Sequence, residues 1–496
     1  MRAQRAERAE RGDGPGRVIL IAAIISLVVL IGVGVWQTLA LNSLWILLRS
    51  GFWIYAILIV VGVVTFIVAI RNRVFGSGDV LVSGLVFVAC VISIIGIGSH
   101  QGYQAQRGMY LASITIKNGA LGEYQQRPPL TVAQNQTQSH VDINGTMGGT
   151  SYVPSEGKYG TLVATKGMFV GYGEVVWQTV NDSGQSTATN CQFSAAGARV
   201  FNGLFWSNLQ RAIIHKAGPE LINQNDAYGY CDTSGNPVLI VPLKTYRGII
   251  YTYQVPDGVA VIDKDWNITI DRDVTTGKYP GPVYPESLAA HQREATAALG
   301  TWWDHVQGRV GYAQTNDNYE SNISEFNLER GDGSGSDFVT PLTLAGESQS
   351  INAVGVVESS QNIAGQLNPY TVLTLTPPRQ ANSAMDDRLR ADYGYLTAWA
   401  AGMWVYEIVP TGNDTWRATL GMPKAIMYYA EIAADGTSCL YSVGDGSKVG
   451  CSGDTNTNQT TNTSDTIDLT TMTDSQLLQL IQDAARQLQE NQQAGR

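Results

Sequence analysis

Three apolar runs, residues 18–41, 52–70 and 80–98, constrain this chain more than any other feature. None contains Asp, Glu, Lys or Arg. Each approaches or exceeds the ~20 apolar residues that cross a ~30 Å hydrocarbon core. A signal peptide has an apolar stretch of only ~7–15 residues, and three long runs in succession fit that poorly. The pattern predicts three transmembrane helices. Arg2, Arg5, Arg8, Arg11 and Arg17 precede the first run, Arg71 and Arg73 follow the second, and Arg49 alone lies between the first and second. Excess basic residues stay cytoplasmic. The expected protein is therefore in the plasma membrane, with a cytoplasmic N-terminus and residues 99–496 extracytoplasmic. Its first partner is the lipid bilayer.

Charge is split along the chain. Residues 1–99 hold eight Arg against four acids, whereas the remainder holds 24 basic against 38 acidic residues. Nucleic-acid binding needs basic surface to meet phosphate, so the acidic remainder argues against it. Cys90 falls in the third run; Cys191, Cys231, Cys439 and Cys451 all lie beyond it. Four cysteines in an oxidising compartment suggest two disulfides. Three pairings are possible, and the pairs nearest in sequence, Cys191–Cys231 and Cys439–Cys451, are favoured.

The predicted fold class is α+β: three N-terminal transmembrane helices, a large strand-rich exported region with a few helices, and a C-terminal amphipathic helix. Residues 1–17 form an Arg-rich tail, 18–98 the membrane domain and 99–150 a stalk. Two exported domains follow, 151–285 and 286–451, then a disordered linker, 452–470, and a helix, 471–492. Short strand patterns dominate the exported part, for example 238–243, 259–262 and 425–432. One helix is predicted from Phe201 to about Lys216, with Phe201, Leu204, Phe205, Leu209, Ala212 and Ile213 in one apolar stripe that reads as core. A second is predicted over 287–299. The linker is too polar to offset its ordering entropy. The terminal helix opens with a capping box at Thr473. Its stripe of Leu477, Leu478, Ile481, Ala485 and Leu488 suits a protein partner, a second copy of the chain, or the chain's own domain.

Catalytic motifs are scarce. His291 and Glu294 are three apart on a predicted helix, and His305 follows, but a zinc site needs a third ligand and supporting groups. No metal or other cofactor is expected. The run from Gly331 to Asp337 lacks both P-loop and EF-hand spacing. No nucleophile stands in a recognisable setting. Folding can still bring carboxylates together, and their convergence in one deep pocket separates an enzyme from a binding protein.

The stretch Gly258-Val-Ala-Val-Ile-Asp-Lys-Asp-Trp-Asn-Ile-Thr269 resembles the second hairpin of PepSY-like domains, small exported α+β modules that bind or restrain other proteins. The overall layout resembles that of uncharacterised membrane proteins of actinobacteria and their phages. These resemblances imply a non-enzymatic binding or scaffold protein of the cell envelope, part of an assembly or secretion machine or a phage exclusion factor. The alternatives are an envelope hydrolase or transferase using carboxylates or an undetected metal, and a structural component of a virion or surface assembly.

Overall fold

A computed structural model describes residues 22–32, 40–49, 52–71, 77–167, 170–248, 251–315, 325–346, 350–412 and 415–452. Residues 1–452 form one compact unit. The Arg-rich tail, almost all of the polar linker and the terminal helix with Leu477, Leu478, Ile481, Ala485 and Leu488 lie outside the described residues.

The α+β reading holds, but the transmembrane part of it is corrected. Among the described residues no helix is long and apolar enough to cross a membrane. Within the first run the described residues are helical over 22–32 (α1), and α2 (Ala40–Arg49) covers its end. The second coincides with α3 (Phe52–Arg71). The third is the front of α4 (Ser77–Ala105), which carries Asp79 in its first turn. This helix does not leave the apolar run for a free stalk. Its last turns enter the packed unit, where the Tyr103 hydroxyl donates to the Gly300 carbonyl at 2.8 Å and the Trp302 indole donates to the Ser99 hydroxyl at 3.2 Å. A run of apolar residues sets hydropathy alone; crossing needs a helix both long and apolar enough, and among the described residues none is. The expectation of a plasma-membrane location, with residues 99–496 on its outer side, falls with those helices.

Among the described residues, four sheets of four or more strands and one two-stranded pair build the unit. The first is β2 (Gly145–Val153), β3 (Lys158–Thr165), β4 (Tyr172–Val180) and β5 (Ser186–Gln192), a simple meander. The second is β6 (Tyr228–Cys231), β7 (Pro237–Arg247), β8 (Tyr253–Ile262) and β9 (Ile268–Asp271), again in chain order. A six-stranded sheet is less local. Its edge strand β1 (Ile114–Asn118) runs parallel to β16 (Tyr370–Arg379), followed by β14 (Ile351–Glu358) and β13 (Ser336–Leu344), which pairs with both β11 (Tyr312–Gln314) and β12 (Phe326–Glu329). A five-stranded meander, β17 (Trp404–Gly412) to β21 (Lys448–Cys451), closes the unit.

The first two sheets share a core with one helix, α6 (Leu209–Ala217). Leu162 and Val175 of the first sheet and Leu239, Val241 and Ala260 of the second pack with Leu209 and Ile213. Alternation along β7 and β8 supplies those inward residues. Both disulfides take the favoured pairing. Cys191–Cys231 ties β5 to β6, hence one sheet to the other. Cys439–Cys451 joins facing residues of the last two strands.

The predicted helix over 201–216 is also corrected. It begins only at Leu209, because Asn202 (φ 59°) and Phe205 (φ 52°) sit in the left-handed region that a right-handed helix cannot include. Asn208 caps the shortened helix, its side chain accepting from the Arg211 N–H at 2.8 Å.

Candidate functional site

The irregular segment before α6 opens a cleft of about 510 Å³. Arg199, Arg211, His215 and Lys216 line it together with Phe205, Trp206 and Trp266, and among the described residues no Asp or Glu does. The basic residues come largely from one helix face. Arg211 and His215 are four apart, as are Ala212 and Lys216, so the pairs stack one turn above another. The opposite, apolar face holds Leu209 and Ile213 in the core. Trp206 is 66% exposed, an unusual placement for a large aromatic side chain.

The far wall is the turn after β8. Trp266 is buried there, stacked on Phe193 with ring centroids 4.8 Å apart. Its indole N–H donates to the Ser194 carbonyl at 2.8 Å, and its own carbonyl accepts from Arg199 Nη1 at 3.0 Å. One arginine is thus fixed by backbone across the cleft. Burial pulls the Arg199 guanidinium below its ordinary pKa, yet arginine stays cationic in proteins.

Backbone strain marks the same place. Among the described residues, three non-glycine residues have positive φ: Asn202, Phe205 and Trp266 (66°). Two line the cleft, and the third lies three residues from Phe205. Bulky residues in this region cost of order 1–3 kcal/mol each and persist where surrounding structure imposes them, often at ligand sites. What results is a cleft lined by basic side chains with an exposed aromatic ledge.

The residues singled out from sequence lie elsewhere. His291 Nδ1 and Glu294 Oε2 are 3.4 Å apart on the surface of α7 (Glu286–Ala295). His305 packs against the Tyr103 ring at 5.6 Å. Among the described residues no group of three or more His, Cys, Asp or Glu side chains could hold a metal ion. The Gly331–Asp337 run is a hairpin turn, with Arg330 paired to Asp337 across its base.

The cleft itself went unread. Phe205 and Ala212 were assigned to the core with the rest of their stripe, although both line the cleft. A signal was present: residues 183–219 contain no Asp or Glu, in a chain that has 42. Trp266, Asn267 and Ile268, at the end of the 258–269 stretch, form the far wall. No family model, curated protein or solved structure matches this chain.

Proposed function

We propose that the protein is a non-enzymatic binding protein of an oxidising compartment, and that it holds an anionic sugar-like ligand in the cleft beside α6. The observation that carries this reading is the lining: three permanently or readily cationic side chains, a histidine and no acid, in a chain of net charge −10. Such a contrast concentrates field in the cleft and attracts anions. Trp206 offers a flat apolar ledge for a ring, and arginine recognises carboxylate or phosphate with a planar fork. The two disulfides favour an oxidising compartment.

Calorimetry on the full chain tests the reading with oligogalacturonate, glucose 6-phosphate and a neutral oligosaccharide as probes. The charged probes are expected to bind and the neutral one not, with affinity falling as salt rises. The first two probes distinguish carboxylate from phosphate recognition. Arg211→Ala is expected to weaken the charged ligand about tenfold or more, corresponding to about 1.4 kcal/mol. Equal affinity for the neutral probe, or no loss in an Arg211→Ala/Trp206→Ala double variant, would overturn the proposal.

A further inference from the structure

A second cavity, of about 150 Å³, lies where β2, β6, α7 and the six-stranded sheet meet. It has roughly ten times the room of a single water. Its charges are paired with one exception. Glu325 bonds Arg293 at 3.0 Å, and Arg127 bonds Glu407 at 3.2 Å. Asp226 accepts from the Ser287 hydroxyl at 2.5 Å, which in turn accepts from Lys244 Nζ at 2.7 Å. Glu286, the first residue of α7, lines the cavity, and among the described residues its carboxylate accepts no hydrogen bond and forms no ion pair. The residue is half-buried.

Tyrosines supply the rest. Tyr228 and Tyr284 are buried in the wall. Their hydroxyls are already engaged, that of Tyr228 accepting from the Gly281 N–H and that of Tyr284 donating to Gln292 Oε1. A third wall tyrosine, Tyr152, already holds a cation, with the Arg127 guanidinium 5.4 Å from its ring centroid. Aromatic walls around a carboxylate are a setting that recognises ammonium groups.

We propose that this cavity is a second binding site, for a small organic ammonium ion whose nitrogen lies against the Glu286 carboxylate and the tyrosine walls. The site is independent of the basic cleft, which has the opposite sign of charge. Asn225, exposed among the lining residues, stands at its mouth. Binding depends on pH. Burial, with Glu325 and Asp226 nearby, pushes Glu286 up to about 8, and Arg293 opposes that shift. Lys244 and His291 act on Asp226, and Arg127 is neutralised by Glu407. An arriving cation must therefore displace a proton from Glu286 below pH 8.

Ethylammonium chloride is the probe, titrated into the full chain by calorimetry at pH 6 and pH 9. Affinity is expected to be at least about tenfold higher at pH 9, following the ionisation of one carboxyl. At pH 7, proton release is expected when two buffers of different ionisation heat are compared. Glu286→Gln is expected to abolish binding while oligogalacturonate binding in the cleft persists. Asn225→Trp, a surface change that blocks the mouth, is expected to abolish it as well and serves if the first variant does not fold. No ethylammonium binding to the wild-type chain at pH 9, or unchanged affinity in both variants, would overturn the site.

Discussion

At the scale of single residues, conformation and ionisation carry information that letters do not. Phe205 is left-handed at φ 52°, a conformation that costs an L-residue roughly 1–2 kcal/mol and glycine almost nothing. Phe205→Gly is therefore expected to change stability by less than about 1 kcal/mol, because relief of strain offsets the lost side chain and the gain in unfolded-state entropy. The same variant is expected to bind the cleft ligand several-fold more weakly. Urea midpoints read beside binding isotherms check both; a loss above about 3 kcal/mol would mean the ring is core after all. Glu286 gives a pH prediction. Its folded pKa, about 8, lies above the ordinary glutamate value. Stability is full below the unfolded pKa, where the carboxyl is protonated in both states, and falls as pH rises through 8. Glu286→Gln is expected to match the wild type near pH 4.5 and to exceed it at pH 9 by on the order of a few kcal/mol. Identical denaturation midpoints at pH 9 would show that folding does not raise the Glu286 pKa.

At the scale of elements, periodicity located structure better than it located function. The strand predicted over 238–243 lies within β7, and the hairpin of residues 258–269 is β8, the Asp263 turn and β9. The helix predicted over 287–299 is α7 followed by a 3₁₀ turn, Thr296–Leu299. The helix over 201–216 failed at its front half because an apolar stripe at helical spacing does not encode φ, and two left-handed residues there cannot be read from hydropathy. That failure hid the cleft, since the break in the helix is what opens it. The cap at Asn208 holds the surviving half in place. Asn208→Ala is expected to cost about 1 kcal/mol, and Asn208→Asp to keep most of the stability by accepting the same N–H. Thermal melts of the two variants check this; equal losses would mean the Asn208 contact with Arg211 does not cap the helix.

For the whole molecule, sheet order was beyond sequence reasoning for a physical reason. The parallel pairing of Ile114 with Tyr370 joins residues far apart in the chain, and nothing local specifies it. The apolar N-terminal runs differ in another way, for hydropathy predicts spanning helices, whereas among the described residues no helix is long and apolar enough to cross a membrane and α4 runs on into the packed unit. Cysteine spacing, by contrast, was legible, and it bears on how the unit is held together. Cys191–Cys231 closes a segment of 40 residues and bridges two sheets, whereas Cys439–Cys451 closes 12 within one meander. If each acts mainly by restricting the unfolded chain, the longer loop contributes about 4 kcal/mol and the shorter about 3. A domain's total stability is only ~5–15 kcal/mol, so losing either is severe. The paired variants Cys191→Ala/Cys231→Ala and Cys439→Ala/Cys451→Ala, compared by urea denaturation with unchanged m-values, are expected to rank in that order. The first is also expected to loosen the basic cleft, whose two walls, α6 and the Trp266 turn, stand on the core those sheets share. The reverse order, with the short-loop variant much the weaker, would show that native packing around the last meander, and not chain entropy, sets what these bonds contribute.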